Sequence, residues 1–205
     1  ITDPGLENMV ASTILIPEGW KVEGGITRPA PAFYSNPILS DVVVKAPDGR
    51  AAHFFPSMSF EWNPNQQAQP FSPTMDGNFW HPVPESVGQW LLGLSQANPA
   101  PEVSELQLVE ESDVPELTKR LRQQAAPYYQ QVAQMNQTGM AVGVHQSFDT
   151  QATKVVFRYK EAGRPLEETF LVTWQISVTR VQGRVSTARW QIGMMRSMRG
   201  PVGTD

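Results

Sequence analysis

Side chains able to ligate a metal or move a proton near neutral pH are scarce in this chain. There are three histidines, His53, His81 and His145, and no cysteine. His53 adjoins Phe54 in a strand-like run, His81 falls in a proline-rich stretch, and His145 lies in the polar phase of an alternating segment. None stands at helical spacing from a second histidine or a carboxylate within a helix pattern, so no local metal-ligand motif exists. The lack of cysteine removes disulfides, thiolate metal sites and thiol nucleophiles. Carboxylates adjoin at Glu110-Glu111 and Glu167-Glu168. The second pair sits in a strand pattern, where successive side chains point to opposite faces and cannot share a proton. Glu61 and Asp76 fall in a long loop, where Glu61 could meet His81 or His145 in a cleft. No Gly-x-Ser-x-Gly elbow, phosphate-cradling glycine loop or dinucleotide fingerprint is present. No catalytic, metal-binding or cofactor-binding set is assigned, which weighs against an enzyme.

Any site must be positioned by the stretch 153–195, which reads as a three-stranded antiparallel meander. Leu166, Glu168, Phe170, Val172, Trp174, Ile176 and Val178 alternate with Glu167, Thr169, Leu171, Thr173, Gln175, Ser177 and Thr179. One face is apolar and the other is mostly hydroxyls and amides, as a half-buried strand requires. Residues 154–160 precede it, with Val155, Phe157 and Tyr159 in phase. Residues 184–196 follow it and place Ala188, Trp190, Ile192 and Met194 on one side. Upstream, 9–16 alternates weakly, 21–22 is a short extended piece, and Gly24-Gly25 with Pro29, Pro31 and Pro37 makes a loop. Residues 42–46 and 51–55 form a hairpin across Pro47-Asp48-Gly49.

Residues 56–84 hold six prolines together with Phe60, Trp62, Phe71, Phe79 and Trp80. Such a long loop is uncommon in a compact domain. Its rings either plug the edge of the core or form a lid or partner-docking surface, since large aromatics are enriched in interface cores. Residues 84–97 predict a helix, with Val87, Trp90, Leu91 and Leu94 on one stripe, and 105–110 a strand. Ser112-Asp113 cap a second helix carrying Leu117, Leu121, Tyr128, Val132 and Met135, which Pro127 breaks near Gln124. Residues 138–148 return to strand alternation. The elements predict one α+β domain over 1–205, with helices packed on a largely antiparallel sheet.

Charge is unevenly spread: 1–150 carries 7 basic and 16 acidic side chains, whereas 151–205 carries 9 basic and 4 acidic. Either an acidic front half packs around a basic sheet, or Arg158, Arg180, Arg184, Arg189 and Arg196 form a basic face for an acidic partner. The chain has no Lys/Arg run or RNA-binding signature, so a nucleic-acid partner is not expected. No apolar run is long enough to span a membrane. The chain opens on Ile1 rather than Met. That fits a removed signal peptide and a periplasmic or extracellular location.

Four features together resemble the Mog1/PsbP-like superfamily: an early strand closing in Ile16-Pro17-Glu18-Gly19-Trp20, the hairpin around Ala46-Pro47-Asp48-Gly49, the helix–strand–helix middle and the terminal meander. The resemblance implies an α/β/α sandwich around an antiparallel sheet, and an exported binding or assembly factor rather than a catalyst. The 56–84 insert does not map onto it. On this reading the protein is a non-catalytic accessory subunit without a cofactor, docking on a larger protein assembly. Its surface would be Phe60, Trp62, Phe71, Phe79 and Trp80, with Arg158 and Arg189 on the basic face. The alternative is a small-ligand-binding or hydrolase-like domain with a cleft beside the 56–84 loop.

Overall fold

The structure is a computed structural model that describes residues 1–28, 38–74 and 76–203. In chain order its elements are β1 (Thr2–Asp3), β2 (Met9–Val10), β3 (Lys21–Thr27), β4 (Leu39–Lys45), β5 (Ala51–Phe55), β6 (Met58–Trp62) and β7 (Phe79–Trp80). Then come α1 (Val87–Ala97), β8 (Val103–Asp113), α2 (Pro115–Gln124), α3 (Ala126–Gly139), β9 (Val144–Glu161), β10 (Arg164–Val181) and β11 (Arg184–Pro201). Strands β1 and β2 pair with each other, and the remaining nine form one sheet in the order β3-β4-β5-β11-β10-β9-β8. Strand β6 shares the β5 edge of β11: β5 pairs with 195–199 and β6 with 188–192. All pairings are antiparallel except β6–β7.

The meander consists of three strands of 18 residues each. Two-residue turns join them, at Ala162-Gly163 and Gln182-Gly183. All four turn residues have positive φ, between 49° and 79°. That is the type I′ signature, whose twist matches that of the flanking strands.

The α/β/α sandwich expectation is corrected. About 50% of the structure is strand and 21% helix, and three short helices cannot layer both faces of a nine-stranded sheet. Several finer expectations shift as well. The 56–84 stretch is not one loop, because Met58–Trp62 adds a strand to β11 and Phe79–Trp80 adds another to that. Gly24 and Gly25 lie inside β3. Gly24 has a φ of 83°, and a Cβ there would stand 2.2 Å from the Asp41 carbonyl oxygen of the neighbouring strand. Only glycine fits that approach. Residues 138–143 end a helix and a 3-10 turn instead of opening a strand, and of 9–16 only Met9–Val10 pairs. The second helix does break, at Ala125, with Pro127 in the first turn of α3. Its start differs, because β8 runs on to Asp113 and Val114 occupies the cap position without a side-chain bond.

The core lies on the apolar face of the meander, beneath α1. Trp190 and Phe60 stack with centroids 4.0 Å apart, and Trp90 of α1 meets both edge-on at 5.3 and 5.6 Å. Around them pack Val155, Phe157, Val172 and Ile192. A bulge opposite Thr173/Trp174 leaves Gly193 without a partner and flips the phase of β11. Met195 rather than Met194 therefore joins the core, with 4% of its surface exposed.

Candidate functional site

The hydroxyl face of the meander is the floor of a concavity of about 780 Å³. Its side chains come in cross-strand rows fixed by register. Gln175 faces Gln191, Ser177 faces Arg189, and Thr179 faces Thr187. Strand β9 adds Gln146 and Phe148, and β6 adds Ser59 opposite Gln191. Gln146 Nε2 donates to Ser177 Oγ at 2.8 Å, which orients one rung of the floor. One wall is the α2–α3 junction, with Ala125 and Tyr128, and the other includes Asn78. Tyr128 is held edge-on against Phe148 with centroids 4.4 Å apart.

This wall exists because β8 covers only half of β9. Over residues 144–152 the β9 edge is closed by helices. Asn136 of α3 donates to the Gln146 carbonyl and accepts from the Gln146 N–H, both at 2.7 Å, as a strand would. The Ala152 N–H donates to Thr118 Oγ1 of α2 at 3.0 Å. An edge so paired cannot recruit another chain. Asp149 anchors the same junction, accepting from Arg122 Nη2 at 2.9 Å and Tyr129 Oη at 3.0 Å. Burial works against its charge, but bonds from Gln151, Arg122 and Tyr129 prevail and hold its carboxyl below the ordinary value.

Electrostatically the cleft is close to neutral. The one charged side chain in its lining, Arg189, lies 2.8 Å from Asp76 and 3.6 Å from Glu61. The floor therefore offers uncharged donors and acceptors with one aromatic wall. That chemistry holds a polar, neutral molecule and does not by itself move a proton.

A second polar group occupies the apolar face beyond α1. Glu168 accepts from Ser197 Oγ at 2.5 Å and from Tyr159 Oη at 2.9 Å, and Arg199 donates to Glu161 at 2.7 Å. Burial, then the charge of Glu168, pushes the Tyr159 phenol up. His53 stands opposite Ser197 in the ladder, and its Nε2 lies 2.6 Å from Asp41. Each group is engaged by a neighbour, so this file locks β4, β5, β11, β10 and β9 together.

The sequence-expected residues are dispersed. Phe60 and Trp80 are buried, Trp62 and Phe79 half-buried, and only Phe71 among these rings is exposed. The aromatic stretch thus mainly plugs the core edge, and Phe60 and Trp80 are not available as a docking surface. Arg158 and Arg189 share the hydroxyl face, but Arg158 donates to Glu167 at 2.7 Å and Arg189 is paired as described. Arg184 and Arg196 share that face too, opposite Val181 and Leu171, whereas Arg180 lies on the opposite face, bonded to Ser147. Ion pairs of Lys154 with Glu110, Lys160 with Glu105, and Arg189 with both Asp76 and Glu61 join the basic C-terminal segment to the acidic front half. His81 packs among Phe60, Phe71, Trp90 and Trp190, while Glu61 lies on the opposite face beside Arg189 and His145 is exposed at the start of β9. They do not converge.

The floor residues were visible in sequence as a hydroxyl phase but carried no sign of being enclosed. Tyr128 read as part of an apolar helix stripe, whereas it lines the cleft. Among the described residues no group of three or more His, Cys, Asp or Glu is placed to hold a metal, and no helix is long and apolar enough to cross a membrane. Comparison with protein-family models, with curated proteins and with solved structures finds no match to this chain.

Proposed function

We propose that the protein is a non-catalytic binding domain whose site is the cleft on the hydroxyl face, and that its ligand is neutral and hydrogen-bonding. The observation that carries this reading is the floor itself: about 780 Å³ of concavity over rows of amides and hydroxyls, with its one guanidinium already neutralised. Pockets of this size suit small ligands, and a few placed polar groups with an aromatic wall supply orientation. The test is saturation-transfer NMR with matched sets of neutral polyols and amides, carboxylates, phosphates and amines. The neutral set should give signals that Gln191→Trp, which fills the cleft from an exposed floor position, removes. Binding confined to charged compounds, or unaffected by that substitution, overturns the reading.

A separate observation favours an accessory-subunit role alongside it. An apolar groove of about 520 Å³ runs between α1 and Pro70-Phe71. Phe71 holds a φ of 65°, a conformation costly for a bulky residue, and keeps its ring exposed. A protein partner seated there would be lost on Phe71→Asp while the far-ultraviolet spectrum stays unchanged. Unaltered co-migration of that variant with the native assembly would remove this role.

A further inference from the structure

The ligand class of the hydroxyl-face cleft can be narrowed, and this step rests on the binding-domain reading above. We infer that the cleft takes a short, uncharged oligosaccharide, with one pyranose ring against Tyr128.

Three features carry the inference. A sugar ring presents hydroxyls that each donate and accept, so it is matched by side chains that also do both. Gln175, Gln191, Thr179 and Thr187 are such groups, and no hydrophobic strip separates their rows. A pyranose also has an apolar C–H face, which calls for an exposed aromatic ring of fixed orientation. Tyr128 is 39% exposed, and its edge contact with Phe148 sets its plane. Finally, charge selects against acidic and amino sugars. Arg189, itself mostly exposed, is paired with Asp76 at 2.8 Å and lies 3.6 Å from Glu61, so the cleft holds no uncompensated charge to favour an acidic or amino sugar. A neutral peptide could satisfy the floor, but its backbone leaves the exposed ring without a flat apolar partner. The volume of about 780 Å³ accommodates more than a monosaccharide, roughly two or three rings on the scale of small-ligand pockets.

The experiment is an amide-shift titration of the whole chain with cellotriose, maltotriose and N,N′,N″-triacetylchitotriose. Trigalacturonic acid serves as the charged control and triglutamine as the neutral peptide control. At least one neutral trisaccharide should shift amides in 175–179 and 187–191 together with the Tyr128 ring signals. Tyr128→Ala should weaken that binding by at least about fivefold, and Tyr128→Phe should restore it. If triglutamine shifts these amides and no trisaccharide does, the saccharide inference fails while the binding-domain reading stands. If trigalacturonic acid binds as well as the neutral sugars, the charge argument and the inference fail. If no neutral probe perturbs the cleft, both the inference and the reading beneath it fail.

Discussion

Glu168 shows what one residue can carry. In sequence it interrupts an apolar phase between Leu166 and Phe170, and nothing local supplies a partner. The partners come from the adjacent strands: Tyr159 and Ser197 donate to its two oxygens, and Ser197 is only 2% exposed. Removing one such donor from this half-buried carboxylate costs roughly 0.5–1.5 kcal/mol. Ser197→Ala should therefore lower the urea midpoint without changing the slope of the transition, and an unchanged midpoint would show that the bond contributes nothing. Asp149 gives a pH dependence. Its folded pKa is depressed, so its contribution is fully present above the ordinary value of 3.8 and is lost as pH falls below that through the folded value. Asp149→Asn should flatten the loss of stability below about pH 4 relative to the parent chain. Identical acid-unfolding curves would contradict this assignment. Neither partnership was legible beforehand, because the first depends on strand register and the second on how α2 and α3 pack against β9.

At the scale of elements, the alternation of 153–195 made the meander legible, and its turn residues marked the hairpins. What alternation did not reveal was the bulge at Gly193, which moves Met195 into the core in place of Met194. The length of β9 was also hidden, because 138–143 alternates like a strand while the chain there finishes α3. The turns yield a stabilising change. Ala162 occupies a type I′ position at φ 50°, where Asn is more at ease than Ala. Ala162→Asn should raise the melting temperature by about 1–4 °C, as roughly 0.5–1 kcal/mol does in a chain of this size. A fall would mean that the turn is not of this type. The closure of β9 is testable too. Asn136→Ala leaves the Gln146 N–H and carbonyl without their helix partner. Amide exchange over 144–148 should accelerate at least about fivefold, from a loss of roughly 1–3 kcal/mol. Unchanged protection would show that the helix does not seal this edge.

For the whole molecule, the sequence pattern pointed to an antiparallel sheet with one face covered, and the structure extends that sheet to nine strands. The α/β/α layering fails because the 56–84 stretch, expected as a loop, adds strands and core rings to the sheet, and three short helices do not cover both of its faces. Part of the uneven charge is met within the fold, through pairs such as Lys160–Glu105 and Arg189–Asp76. What remains open to a ligand is the hydroxyl face. Its composition could be read from the strands, but its enclosure depends on Tyr128 and Asn78 arriving from elsewhere in the chain.

The central claim is that this face is the site for a small neutral ligand. The most direct measurement is amide-shift mapping of the parent chain and Gln191→Trp with one pool of neutral oligosaccharides and amides. The account predicts shifts clustered in 175–179 and 187–191 that vanish in the substituted chain. Shifts that survive Gln191→Trp, or that cluster instead along Pro70-Phe71 and α1, would contradict it.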